Sequence, residues 1–119
     1  MPELTFDFDH GGDVVVARLD GEIDSSNASE LRLALAARLP SAASMLVLDL
    51  SGVNYLDSSG IALLFELGRG LAARRQTIRL IVPETAPVRR VLKLWAVESI
   101  APIHGNLADV LEAVGGPSD

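Results

Sequence analysis

In "NYLDSSGIALLF", residues 54–65, a carboxylate and two hydroxyls stand together just before a run that is almost wholly apolar. Two kinds of chemistry suit such a cluster. Asp57, Ser58 and Ser59 are all favoured capping residues, able to accept hydrogen bonds from the unpaired N–H groups at a helix start. A serine held there could instead be a site of modification. A helix N-terminus carries partial positive charge and favours an exposed phosphate by about 0.3–1 kcal/mol. Helix-start chemistry allows Ser58 as readily as Ser59, and one hydroxyl can serve both purposes. Gly60 permits close approach of the backbone to another group.

Other chemistries fit less well. The nucleophile elbow of serine hydrolases has Gly two residues before and two after the serine. Ser58 has Leu56 and Gly60 there, and Ser59 has Asp57 and Ile61. A hydrolase also needs a base, and the two histidines are His10, beside an expected hairpin turn, and His104, in a late loop. Neither G-x-x-x-x-G-K-[ST] nor G-x-G-x-x-G occurs, so no phosphate-cradling loop is expected. Two histidines without a ligand-like cluster argue against zinc. Asp20, Glu22, Asp24, Asp49 and Asp57 fall at expected strand ends or in the loops that follow, where α/β sheets place sites and carboxylates could hold Mg²⁺. Acidic loops are common, and this spacing defines no metal site. No cofactor is expected.

Periodicity supplies the elements that position these residues. "LTFDFD" alternates strictly and predicts a half-buried strand with Leu4, Phe6 and Phe8 inward. "HGGD" reads as a turn and "VVVARLD" as a second strand, giving an antiparallel hairpin. "GEIDSSNAS" reads as a loop. The helix after it carries Ala28, Leu31, Leu35 and Leu39 and stops before Pro40. Asn27 with Glu30 resembles a capping box. "MLVLDL" predicts a buried strand, and "SGVNYLDSSG" a loop into the central helix. On that helix Ile61, Leu64, Phe65, Gly68, Leu71 and Ala72 form the core face, flanked by Leu63 and Leu67. The remaining sector, Ala62, Glu66, Arg69, Gly70 and Ala73, is short on long charged side chains, so another backbone could approach it.

"TIRLIV" predicts the next strand. A short helix after Pro87 should hold Val88, Val91, Leu92 and Trp95, and "SIAPIHG" a last short edge strand. Asn106 should cap a terminal helix with Leu107, Val110, Leu111 and Val114 inward. Strands alternating with helices imply an α/β fold: a central mixed β-sheet with parallel pairs, covered by about four helices.

At 119 residues the chain suits one domain. Only five residues are aromatic, so the core must be mainly aliphatic. The absence of cysteine removes disulfides, thiolate metal sites and a thiol nucleophile. A formal charge of −6 argues against sequence-independent binding to nucleic acid and against docking on anionic lipid. Arg74, Arg75 and Arg79, and Arg89, Arg90 and Lys93, are the candidate basic clusters. "MPELTFDFDHGG" lacks the pattern of a signal peptide, and no apolar run is long enough to span a bilayer. A cytoplasmic protein without direct membrane insertion is expected.

Together, "LDGEIDSSNASEL" and "LVLDLSGVNYLDSSGIALL" resemble the STAS domain family, and within it the bacterial anti-sigma factor antagonists. The resemblance spans nearly the whole chain and implies a STAS-like domain over residues 1–114, with a flexible tail at 115–119. It implies a phosphoprotein of transcription regulation and not an enzyme. The second serine of D-S-S-G, here Ser59, would be phosphorylated by a partner anti-sigma factor that is itself an ATP-dependent serine kinase. The unphosphorylated form would bind that kinase and free the sigma factor; phosphorylation would reverse binding, and a phosphatase acting on phosphoserine would reset this partner switching. ATP, Mg²⁺ and the catalytic base would belong to the kinase. Glu22, Asp24, Ser26, Asp57, Ser58, Gly60, Ala62, Glu66 and Arg69 are the expected partner-binding residues, with Asp24 brought near Ser59 by the family's geometry. No arginine adjoins the motif in sequence to hold the phosphate. The family also supplies cytoplasmic subunits of lipid-transport ABC complexes and parts of stress-sensing assemblies, and the intact D-S-S-G favours the phosphoswitch over these.

Overall fold

Odd and even residues of the strands face two different cores. A computed structural model describes residues 4–11 and 13–115. The chain runs β1 (Thr5–Gly11), β2 (Val14–Ile23), α1 (Ala28–Arg38), β3 (Met45–Leu56), α2 (Ser58–Ala73), β4 (Thr77–Ile81), α3 (Arg89–Leu94), a 3₁₀ turn (Val97–Ser99), β5 (Ile103–His104) and α4 (Leu107–Gly115). The strands lie in the order β1-β2-β3-β4-β5, with β1 antiparallel to β2 and all later neighbours parallel. Val15, Ala17 and Leu19 of β2, Leu46, Leu48 and Leu50 of β3, and Ile78 and Leu80 of β4 share one face, covered by α1, α2 and α3. Val16, Met45, Val47 and Ile81 point the other way and meet Val110 of α4. This is the expected mixed sheet with its N-terminal hairpin.

Both strands leading to the site run further than periodicity predicts. β2 continues through Gly21, Glu22 and Ile23, and β3 through "SGVNYL", both expected to be loop. The tails pair with each other across two register shifts, Gly21 beside Val53 and Ile23 beside Leu56. Such bulges break the two-residue alternation that marks a strand. At Gly52 the two tails lie close: a Cβ there would stand 3.1 Å from the Leu19 carbonyl oxygen and would displace the exposed Asp20 carboxylate.

Four expected inward positions differ. Trp95 is 54% exposed, because α3 has only six residues and Ala96, with φ of 55°, turns the chain so that Val97 enters the core instead. Leu111 is 50% exposed: Val110 fills α4's place against Val16, Met45, Val47 and Ile81, and Leu107 packs beside it. Ala72 is exposed beside Gln76 at the rim of a shallow pocket, and Phe6 is 38% exposed on the edge strand. The side chains of His10 and Val114, the turn residue Gly12 and the tail beyond Gly115 lie outside the described residues.

The central helix ends in a Schellman motif. Gln76 N–H donates to the Leu71 carbonyl at 2.8 Å and Arg75 N–H to Ala72 at 3.1 Å, with Arg75 left-handed at φ 61° where glycine is usual. The buried Gln76 amide then donates to the carbonyls of Pro40 and Ala43, at 3.1 and 2.9 Å, tying the end of α2 to the loop before β3.

Candidate functional site

Parallel pairing of β2 and β3 brings the two loops of interest together. Ile23 and Leu56 are the last paired residues, so the chain leaves both strands at one edge of the sheet. Asp57 N–H then donates to the Ile23 carbonyl at 3.3 Å, joining the start of α2 to the end of β2.

Asp57, and neither serine, is the N-cap of α2. Its extended backbone turns the carboxylate over the helix start, where Oδ1 accepts from Ser59 N–H at 2.8 Å and Gly60 N–H at 3.3 Å. Ser58 and Ser59 are the first two helical residues, the former exposed and the latter half-buried. With the cap supplied by a carboxylate, neither hydroxyl is needed for it. Gly60 is buried: a Cβ would lie 2.4 Å from Leu56 Cδ1 and 3.2 Å from Ile23 Cγ2. It therefore sets the helix close against both strand ends and is not part of the exposed surface.

The loop after β2 is stitched by its own side chains. Asp24 Oδ1 accepts from the Ser26 N–H at 2.9 Å and from the Ser26 hydroxyl. These bonds, the hydroxyl's first and the backbone's second, hold the Asp24 carboxyl below its ordinary value of 3.8, against a small opposing effect of burial. Asn27 forms no capping box. Its amide reaches back instead, accepting from Asp24 N–H at 3.1 Å and donating to the Glu22 carbonyl at 2.8 Å.

Between α1 and α2 lies a groove of about 220 Å³, lined by Ser25, Ala28, Ser29 and Arg32 on one wall and Ser59, Ala62, Leu63 and Glu66 on the other. Arg32 Nε stands 3.8 Å from Glu66 Oε1. Of the sequence-derived candidates, Ser59, Ala62 and Glu66 thus share one groove, with Glu22, Asp24 and Ser26 on the strand end and loop beside it and Asp57 and Ser58 at the start of α2. Arg69 is exposed a turn beyond Glu66 and does not line it. Sequence reading missed Arg32 and Tyr55, while Ser25 falls within the 22–26 segment it did expect at the site. Arg32 sits on a neighbouring helix that spacing alone cannot align with the serines. Tyr55, 49% exposed, pairs with Glu22 on a strand extension read as loop.

The remaining chemistry is dispersed. His104 lies on β5 and not in a loop, with Nε2 2.9 Å from Arg79 Nη1, and it does not line the groove of Ser59. Arg79 is half-buried, whereas Arg74 and Arg75 are exposed. Asp49 is bonded by Ser51, Asp57 caps α2 and Asp24 holds Ser26. Among the described residues no three His, Cys, Asp or Glu side chains cluster as metal ligands. No described helix is long and apolar enough to cross a membrane.

The family model described as "Mlab, STAS domain" matches residues 6–103. The chain belongs to the STAS domain family. Among its relatives, this STAS domain is 31% identical over 105 residues to BtrV of Bordetella bronchiseptica, named as an anti-sigma factor antagonist, across 87% of each chain. It is 26% identical to the anti-sigma F factor antagonist of Paenibacillus polymyxa, covering 91% of this chain and 92% of that one. A crystal structure of an anti-sigma factor antagonist from Mycobacterium paratuberculosis superimposes with a TM-score of 0.83, at 28% identity and 95% coverage of both chains.

Proposed function

We infer that this STAS domain is an anti-sigma factor antagonist controlled by phosphorylation of Ser59. Its partner is an anti-sigma factor with serine-kinase activity. The unphosphorylated domain binds that kinase and releases the sigma factor, phosphate on Ser59 ends the binding, and a phosphoserine phosphatase restores it. The domain is substrate and ligand in this cycle, with the chemistry performed by the kinase. The observation that carries the reading is the division of labour at the start of α2: Asp57 does the capping, which leaves Ser59 at the groove with its hydroxyl outside the cap. The names of the curated relatives support the same role.

A phosphate would add about −1.5 to −2 charges. It would stand beside Asp57, with Asp24 and Glu22 on the adjoining strand end and loop. Helix and loops are held by backbone pairing, so the effect is local charge and bulk at the docking surface with little refolding. Leaving such a charge unpaired in an interface costs about 2–5 kcal/mol, roughly 30-fold to several-thousandfold in affinity at 1.4 kcal/mol per decade. Ala62 and Glu66 on one wall, with the 22–26 segment, form the docking face. Ala62→Trp, at an exposed groove position, is expected to weaken the kinase complex while leaving the fold intact, and unchanged affinity would exclude that face.

The test is capture from native lysate with wild type, Ser59→Ala and Ser59→Asp as baits. An ATP-binding serine kinase retained by Ser59→Ala and lost with Ser59→Asp is the expected result. Retention of one transporter ATPase by all three baits, unchanged when the bait carries phosphoserine, would replace this reading with a lipid-transport subunit.

A further inference from the structure

The two walls of the groove repeat one spacing. Ser59, Ala62, Leu63 and Glu66 on α2 match Ala28, Ser29 and Arg32 on the first turns of α1 with Ser25 in the turn just before them, each set separated by three, four and seven residues. That spacing lines one helical face. Both helices follow parallel strands and cover the same face of the sheet, so they run in the same direction. The Arg32–Glu66 contact fixes the alignment at the far end, leaving Ser59 about 10 Å up the groove along the helix axis.

We propose that Arg32 is an internal phosphate-binding residue: when Ser59 carries a phosphate, the guanidinium leaves Glu66 and turns up the groove to hold it. The proposal rests on the reading of Ser59 as the modified serine. Its present partner holds Arg32 weakly. The approach is a single 3.8 Å contact, with side chains 47% and 56% exposed, and such pairs contribute little. Phosphoserine offers nearly twice the charge of Glu66 and three acceptor oxygens, which suit the guanidinium fork. The path is open as well. Helical side chains lean toward their own N-terminus, which directs Arg32 toward the Ser59 end. Of the liners between, Ala28, Ser29 and Ala62 are short, and the longer Leu63 is buried at 3% exposure. Arg32 is the sole cation among the residues lining the groove; Glu66 shares it, while Asp57, Asp24 and Glu22 are the acids on the adjoining helix start, loop and strand end.

Phosphorylation would then change the docking face twice. The phosphate becomes seated along the α1–α2 groove, and Glu66 is released as an unpaired carboxylate on the same wall as Ala62. Both changes oppose a partner that had docked over the groove.

The test uses the full chain with phosphoserine encoded at position 59, so that no kinase is needed. Phosphorus NMR follows the second ionisation of the phosphate, ordinarily near pH ~6. Contact with Arg32 favours the dianion, so Arg32→Gln should raise that midpoint by about half a unit or more, roughly threefold in proton affinity. Arg32→Lys should restore part of the difference, and Glu66→Gln, which removes a competing acid, should lower the midpoint below wild type. The Arg32 Nε–H resonance should also move between the unmodified and phosphorylated chains. A midpoint shifted by less than that in Arg32→Gln, or an Arg32 resonance unmoved by the phosphate, overturns the proposal. Because the phosphate is encoded, failure to find a kinase would sink the antagonist reading without touching this result. An unmoved titration would sink the Arg32 role alone.

Discussion

Gly60→Ala and Gly70→Ala add the same methyl group to the same helix and are expected to change stability in opposite directions. A Cβ on residue 60 would lie 2.4 Å from Leu56 Cδ1, 3.0 Å from Leu56 Cγ and 3.2 Å from Ile23 Cγ2. Carbon atoms pack best at about 3.5–4.0 Å. Leu56 and Ile23 are 5% and 1% exposed, so neither has room to swing aside. Overpacking of this kind costs about 1–3 kcal/mol, against a gain in helix propensity of at most about 1 kcal/mol for alanine over glycine. With the full propensity gain set against it, the net expectation is a loss of up to about 2 kcal/mol. On residue 70 the added Cβ meets nothing within 4 Å. There the propensity gain stands alone and should stabilise by about 0.5–1 kcal/mol. Urea unfolding reads both: the midpoint should fall for Gly60→Ala and rise for Gly70→Ala, with the slope unchanged in each. Gly60→Ala should also weaken partner binding beyond what its unfolded fraction explains, since it shifts the first turn that carries Ser59. Midpoints moving in the same direction would refute the claim that Gly60 is there to seat the helix against the strand ends.

Three further outcomes follow from individual contacts. Asp57→Ala removes the acceptor of two helix-start N–H groups and should cost about 0.5–2 kcal/mol in urea unfolding, with Asp57→Asn recovering most of it; equal losses in both would show that the cap bonds are not the cause. Gln76→Leu leaves the Pro40 and Ala43 carbonyls without their buried donor and should lose about 2 kcal/mol, whereas a loss under about 0.5 kcal/mol would mean the amide is not a tie. Asp24 carries a carboxyl lowered by its bonds from Ser26. The stabilisation of the loop is therefore present above the ordinary carboxylate value and is lost as pH falls through the lower folded value. The Ser26 amide resonance should hold steady from neutral pH downward and then titrate with a midpoint below 3.8; a midpoint at or above that value contradicts the bond, and Ser26→Ala should return Asp24 to it.

The sheet and its helices were legible because apolar spacing of two and of three-to-four residues reports burial directly. Val15, Ala17 and Leu19 alternate with Val14 and Val16 as a two-sided strand should, and Ile61, Leu64, Gly68 and Leu71 trace the buried side of α2. The strand tails were illegible because bulged pairing at Gly21 and Glu22 breaks the alternation, and because the close approach of Gly52 to β2 lies across the sheet and not along the chain. Trp95 and Leu111 failed for a related reason: periodicity says which residues could face a core and not how wide that core is. At the site, the D-S-S-G cluster was visible, but which of three capping residues caps depends on backbone geometry. Asn27 shows the same limit, since its amide had a better use in the loop than at the helix start. Arg32 was hidden because its neighbour, Glu66, is on another helix.

The central claim is that charge on Ser59 controls docking. Its most direct test is titration calorimetry of the captured kinase against two forms of the purified chain, unmodified and carrying phosphoserine at position 59, at one fixed salt concentration. Phosphorylation is expected to weaken binding by about 30-fold or more, the equivalent of at least ~2 kcal/mol. Equal affinity of the two forms would contradict the account.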